Sequence, residues 1–223
     1  MPYRRTERVV RKLAARHAAI IAAARALAAE GGIESVQIAP VAERANIAAG
    51  TVYRYFPAKI DLIAALVTAE CDLDVQALDR AAEAAPGPLS ALVAAIAVFS
   101  ARAIANPKLA YALLAEPAGE GLEAIRLRYR QAVATALEHR IKRAIEGGHL
   151  PDQNAAVAAA ALVGGLIEGL IGPLVPAVPD PSAQGRGRVQ SLTLFMLRAL
   201  GLSDARARGL VLQIAPLTEA PGQ

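Results

Sequence analysis

Residues 41–59, VAERANIAAGTVYRYFPAK, restrict what this chain can fold into more than any other stretch. Two short helical segments meet there at a tight corner, Ala45-Asn46-Ile47. The corner needs a residue that tolerates positive φ; glycine does this best, and Asn46 is the usual substitute. Val41, Ala42, Ile47 and Val52 are spaced to pack inward and fix the crossing of the two segments. Beyond the corner, Tyr53-Arg54-Tyr55-Phe56 leads through Pro57 to Lys59. A supporting helix, a sharp turn, then a short helix with small residues first and anion-binding groups last is the order that a helix-turn-helix reader of DNA requires.

The surrounding sequence predicts an all-α chain. Hydrophobic residues make up 55% of the 223 residues, while aromatics are only 4% and Trp is absent. The core is therefore built from Ala, Leu, Ile and Val, and alanine-rich stretches favour helix. No convincing alternation of apolar and polar residues points to a sheet. After a mobile basic arm (1–8), the first helix is expected over about 11–29. Leu13, Ile20, Ile21, Ala24, Leu27 and Ala28 fall at helical spacing, with His17 on the same face. Gly31-Gly32 ends it. Further helices are expected near 38–45, 48–55, 58–85, 89–105, 108–116, 119–147, 152–175, 188–200 and 203–214. Pro86-Gly87-Pro88 is a candidate boundary, and the proline-rich 173–187 reads as a loop.

Charge is unevenly placed. Residues 1–60 carry ten Lys/Arg against four Asp/Glu, whereas the remainder is slightly acidic, so a polyanion partner is expected at the N-terminal end. A single cysteine, Cys71, excludes an internal disulfide and fits a small buried hydrophobe. The first residues are basic and lack an apolar core, unlike a secretory signal. The apolar stretch 155–178 is interrupted by Glu168, glycines and prolines and falls short of the ~20 clean residues of a membrane span. A soluble, cytoplasmic protein is the expectation.

Helix three would present Ala48, Ala49, Gly50, Thr51, Tyr53 and Arg54 outward. Small residues let the backbone approach base edges, and a Thr side chain can touch a thymine methyl or bond to a base. Tyr53, Tyr55 and Lys59 suit phosphate oxygens, Arg54 suits either role, and Gln37 offers a further backbone contact. At this point residues 12–67 resemble the N-terminal domain of TetR-type (TetR/AcrR) transcriptional regulators. The family pattern "IA-x-x-AGVS-x-GTLY-x-YF-x-x-K-x-x-L" is matched by Val41-Ala42, Ala45-Asn46-Ile47-Ala48, Gly50-Thr51-Val52-Tyr53, Tyr55-Phe56, Lys59 and Leu62. Asn46 replaces the turn glycine, and Ala48 replaces the serine that caps helix three. The resemblance implies a helix-turn-helix DNA-binding domain over 1–57 and a helical regulatory and dimerisation domain over 58–223.

In the C-terminal body no catalytic set or metal-ligand spacing stands out, so no enzyme, cofactor or metal is expected. Glu116, Glu120 and Glu123 read as a solvated face. Residues 122–146 carry an amphipathic stripe, and 155–171 are apolar nearly all round, which requires burial. The resemblance implies that these two helices form a dimer interface, with Ala158, Ala161, Leu162 and Gly165 at the contact. It also implies a cavity for a small apolar or amphipathic effector, with Leu66, Glu70, Phe99, Arg102, Tyr111, Tyr129 and Glu168 as candidate lining. The function so implied is a dimeric, ligand-responsive repressor on a palindromic operator. A ligand-independent DNA-binding protein and a small helical enzyme using the cavity are the alternatives.

Overall fold

Alanine-rich, proline-punctuated sequence gives helices separated by short corners. The computed structural model describes residues 7–117, 119–175 and 181–213, and no strand occurs among them. The order is α1 (Glu7–Gly31), a short 3-10 turn (Ile33–Ser35), α2 (Ile38–Arg44), α3 (Ala49–Tyr55), α4 (Lys59–Glu83), α5 (Pro88–Ala105), α6 (Pro107–Leu114), α7 (Glu120–Glu146), α8 (Ala155–Leu170), α9 (Pro181–Ala199) and α10 (Asp204–Gln213). Prolines open α5, α6 and α9, where a missing N–H removes no intrahelical bond.

Helices α1, α2 and α3 form a small head that α1 and α4 join to the body. In the body α5 lies centrally, packed on α4, α7 and α9, while α7 also carries α8. Helix α5 is long and apolar enough to cross a membrane by length and composition. Leu92, Val93, Ala95, Ile96 and Phe99 are nevertheless buried against its neighbours, so it is the core helix of this bundle. The apolar core runs without interruption from Ile20 in the head to Val211 in α10.

Several boundaries differ from expectation. Helix α1 begins at Glu7, so part of the expected arm is helical; the rest lies outside the described residues. His17 is exposed rather than on the apolar face. Its ring lies 5.1 Å from Phe56 and 6.3 Å from Tyr55, which gives the head an aromatic brace at its rim. Helix α9 starts at Pro181, so the second half of the expected loop is helix, and residues 176–180 lie outside the described residues. Proline in a first turn is compatible with helix, which makes proline content a poor loop signal there. Pro86–Pro88 turns the chain between α4 and α5, which pack side by side.

Candidate nucleic-acid interface and effector region

The corner between α2 and α3 is a Schellman motif. Asn46 has φ 51°, the one positive φ of a non-glycine residue among the described residues. Its N–H donates to Glu43 O at 3.0 Å, and Ile47 N–H donates to Ala42 O at 2.9 Å. Two of the orphan carbonyls at the end of α2 are thereby satisfied. Val41 and Val52 are fully buried and Ala42 nearly so, which locks the two helices together. Arg44 of α2 forks onto Glu30 of α1 at 2.6 and 2.9 Å. That hydrogen bond holds the Glu30 carboxyl below its ordinary pKa.

Helix α3 is anchored on one side and open on the other. Ala48 takes the extended N-cap conformation without a side-chain cap bond, as expected from the missing serine. Gly50, Tyr53 and Arg54 form the outer face, at i, i+3 and i+4. Tyr53 is 52% exposed although large and aromatic. A β-carbon added at Gly50 would meet nothing within 4 Å, so packing inside the chain does not demand glycine there. Ala49, Thr51 and Tyr55 are half-buried, and Phe56 is buried as the aromatic that ties α3 to the unit.

Two flanking candidates have local partners. Gln37 Nε2 donates to Glu34 O at 2.9 Å, while its side chain remains exposed. Lys59, in the first turn of α4, lies 3.9 Å from the Glu34 carboxylate, a loose ion pair that solvent screens. A groove of about 540 Å³ separates Leu13, Arg16 and His17 of α1 from Thr51, Arg54 and Tyr55 of α3.

The body contains a partly buried polar cluster, in which Glu70 and Tyr129 are buried and Arg25 and Arg102 reach solvent. Glu70 is 5% exposed and accepts from Arg25 Nε at 2.8 Å. One turn on, Asp74 accepts from Arg102 Nε and from the Tyr129 hydroxyl. Burial first, and the neighbouring Asp74 charge second, push the Tyr129 phenol well above its ordinary range. Cys71 sits between the two carboxylates' turns; burial, with Asp72 and Asp74, pushes its thiol up to about 11. Such a thiol stays protonated and inert near neutrality. Leu66 is buried one turn before Glu70 on α4, Phe99 is buried one turn before Arg102 on α5, and Tyr111 is half-buried on α6.

Glu168 is not part of that interior. It is exposed on α8, on the flank shared with Val157, Ala161 and Gly164, because the i+4, i+3, i+4 spacing carries all four outward. Leu162, expected at the dimer contact, is instead buried within the chain with Leu166, Ile167 and Leu170. Gly165 also faces inward: a β-carbon there would lie 2.6 Å from Met196 Cε, so its smallness admits α9 of the same chain. Ala158 is half-buried and Ala161 exposed. The uncovered flank of α8 is therefore Val157, Ala160, Ala161 and Gly164; Phe195 on α9 and Leu174 after α8 are exposed as well.

The sequence pattern singles out neither Asp74 nor Arg25, and Glu116 has a different role from the one its spacing suggests. The one cue to Asp74 is its place as the i+4 partner of Glu70. Glu116, expected on a solvated face, is half-buried and accepts the Ile33 N–H at 2.9 Å. Arg126 is buried and donates to Glu116 O, Ala112 O and Glu123, which fixes the α6–α7 corner. No group of three His, Cys, Asp or Glu residues able to hold a metal occurs among the described residues.

Residues 20–66 match the family model of bacterial regulatory proteins, tetR family. Over 94 residues the chain is 38% identical to the HTH-type transcriptional repressor KstR of Mycolicibacterium smegmatis, a match spanning 42% of this chain and 46% of that repressor. The match therefore spans less than half the length of that relative. Solved structures share the fold over nearly the whole chain. RolR in complex with resorcinol superposes with a TM-score of 0.65 at 23% identity, over 91% of this chain and 95% of its own. Salmonella enterica GusR gives 0.67 at 20% identity, over 88% and 98%.

Proposed function

We propose, for a chain that belongs to the TetR family of bacterial regulatory proteins, that it is a cytoplasmic, dimeric transcriptional repressor released from DNA by a small effector. The observation that carries this reading is the open face of α3. Gly50, Tyr53 and Arg54 project from a helix whose opposite side is pinned by Val52, and nothing among the described residues covers them. Gly50 and Thr51 would meet base edges, Tyr53, Tyr55 and Lys59 would meet phosphates, and Arg54 and Gln37 would complete the contact.

A single α3 offers few base contacts, so two heads on a two-fold operator fit the recognition problem. The uncovered apolar flank of α8 and α9 is where the second copy would sit. Its small residues, Ala160, Ala161 and Gly164, allow helices to approach closely, and Phe195 and Val157 supply apolar area. The domain division that goes with this reading is 1–57 for DNA binding and 58–223 for regulation and dimerisation.

The effector would enter among α4, α5 and α7, where Leu66 and Phe99 give an aliphatic and aromatic wall and Glu70, Asp74, Arg102 and Tyr129 give polar anchors. RolR holds resorcinol on the same fold. For this chain the lining favours an apolar or amphipathic compound. Release follows if that compound binds the conformation with poor DNA affinity more tightly than the DNA-bound one. One observation favours a ligand-independent regulator instead: Glu70 and Asp74 are already satisfied by Arg25, Arg102 and Tyr129.

Genomic footprinting with the purified full chain tests the reading. A protected site with two-fold sequence symmetry, lost in Tyr53→Ala, is the expected result. Protection without symmetry would remove the paired-head arrangement, and no protection anywhere would remove DNA recognition. A compound that raises the melting temperature yet leaves operator affinity unchanged would defeat the release mechanism.

A further inference from the structure

The first turns of α1 have little packing within this chain beyond the contact of His17 with Phe56 and Tyr55. Ile20 is the first buried residue of that helix, and from Arg8 to Ala19 every residue is exposed except the half-buried Leu13. That segment extends about 18 Å at helical rise. Isolated helical turns in water gain little, and helices in proteins owe most of their stability to a packed face. A partner outside the chain would supply what the core does not.

Apart from Glu7 at the first position of α1, the charge on this projection is of one sign. No acidic residue occurs between Arg8 and Ala29. Arg8, Lys12 and Arg16 stand at i, i+4 and i+8, so they form one row along the helix. All three are exposed, and none has a hydrogen bond or ion pair among the described residues. Helix surfaces kept only for solubility intersperse both signs. A row of like charges repels itself until a polyanion neutralises it.

The row is continuous with the candidate DNA face. Arg16 lines the groove between α1 and α3, opposite Arg54, and Arg54 also stands on the outer face with Gly50 and Tyr53. Lys12 and Arg8 continue from Arg16 by one and two turns, away from the head.

We propose that residues 8–16 of α1 form a second DNA-contacting element. In it Arg8, Lys12 and Arg16 neutralise backbone phosphates flanking the base pairs that α3 faces. This rests on the DNA-binding reading above and adds a surface to it. The element carries affinity and salt dependence but no sequence information, because phosphates are the same at every step.

The test uses the full chain and a duplex recovered from a random pool by the wild-type protein. Operator affinity is measured by fluorescence anisotropy over a salt series for wild type and for the triple variant Arg8→Gln, Lys12→Gln, Arg16→Gln. Glutamine keeps comparable helix propensity, and circular dichroism checks that the fold persists. The slope of log K against log salt is expected to become shallower by about 0.9 for each phosphate that is no longer neutralised. The pool-selected sequence is expected to stay the same. Trimming the duplex ends should weaken wild type but leave the triple variant unaffected, while Arg8→Lys with Arg16→Lys should keep the wild-type slope. An unchanged slope in a triple variant that still depends on Tyr53 for binding overturns this proposal alone. Failure of the wild-type chain to recover any duplex overturns the DNA-binding reading beneath it.

Discussion

The carboxylate of Glu116 accepts the backbone N–H of Ile33 at 2.9 Å and so joins the α6–α7 corner to the turn leading into α2. Gly32, at φ +74°, brings that backbone so near that an added β-carbon would lie 3.0 Å from Glu116 Oε1. Arg126 holds the other end of the link by donating to Glu116 O. This carboxylate thus connects body and head in addition to the packing of α1 and α4. Glu116→Ala is expected to lower stability by about 1.5–3 kcal/mol, the scale for a hydrogen bond with one charged partner. It should also weaken the effect of an effector on operator affinity more than it weakens operator affinity itself. Glu116→Gln keeps an acceptor and should restore most of both. Denaturant titration and paired operator titrations with and without effector measure these outcomes; equal coupling in all three proteins would remove Glu116 from the transmission path.

Gly50 separates the demands of folding from those of DNA contact. It lies in the first turn of α3 with open space around its would-be β-carbon. Gly50→Ala should therefore leave the fold intact and raise stability by about 0.5 kcal/mol through reduced unfolded-state freedom. The same methyl points at the proposed base-contacting surface and should weaken operator binding by about 1–3 kcal/mol, the usual cost of overpacking a close contact. Thermal melts and anisotropy titrations on one preparation check both signs. Undiminished operator affinity would show that the backbone at Gly50 does not approach the bases.

Much of the head was legible in sequence because its constraints are local. The Asn46 corner, the inward Val41 and Val52, and the missing cap at Ala48 all follow from residue type at fixed spacing, and the structure places them so. The body was legible in its helices but less so in its helix faces. An apolar helix such as α8 gives no sequence cue to which side meets its own chain. Leu162 and Gly165 are expected at the dimer contact on the resemblance alone, whereas inside the chain Leu162 is part of the core and Gly165 faces Met196. Glu116 accepts from a partner 83 residues away, and the partners of Asp74 lie 28 and 55 residues away, so spacing shows neither contact, although Asp74 itself stands one turn from Glu70.

Tyr129 ties stability to alkaline pH. Its phenol is buried and donates to Asp74, so its pKa in the folded protein lies above the ordinary value of 10.0. Below that value both folded and unfolded chains keep the proton, and the contribution is fully present. Above it the unfolded chain releases a proton that the folded chain retains. Stability then falls as pH rises, by up to about 1.4 kcal/mol per pH unit for this one group. Tyr129→Phe cannot titrate and should show a shallower decline above pH 10, while being less stable near neutrality because Asp74 is left one donor short. Urea denaturation from pH 8 to 11 on both proteins provides the comparison. Parallel curves would mean that the Tyr129 hydroxyl does not keep its proton in the folded state.

Phe195 is 59% exposed on α9, and Val157 is 64% exposed on α8, next to the small residues Ala160, Ala161 and Gly164. None of these side chains supports the fold of the single chain, because Leu162, Leu166 and Met196 fill the inner sides of the same helices. Burying one large apolar side chain contributes about 1.5–3 kcal/mol, and a two-fold contact counts it twice. Phe195→Glu should therefore split a dimer of micromolar or weaker affinity into monomers, since a buried unpaired carboxylate adds a desolvation cost to the missing apolar burial. Helix content should be unchanged. Operator binding should weaken steeply, because two heads would no longer be held together, while any residual binding should lose its requirement for two half-sites. Sedimentation velocity gives the mass, and a half-site duplex gives the symmetry requirement. A dimeric Phe195→Glu protein with wild-type operator affinity would place the interface elsewhere on the molecule.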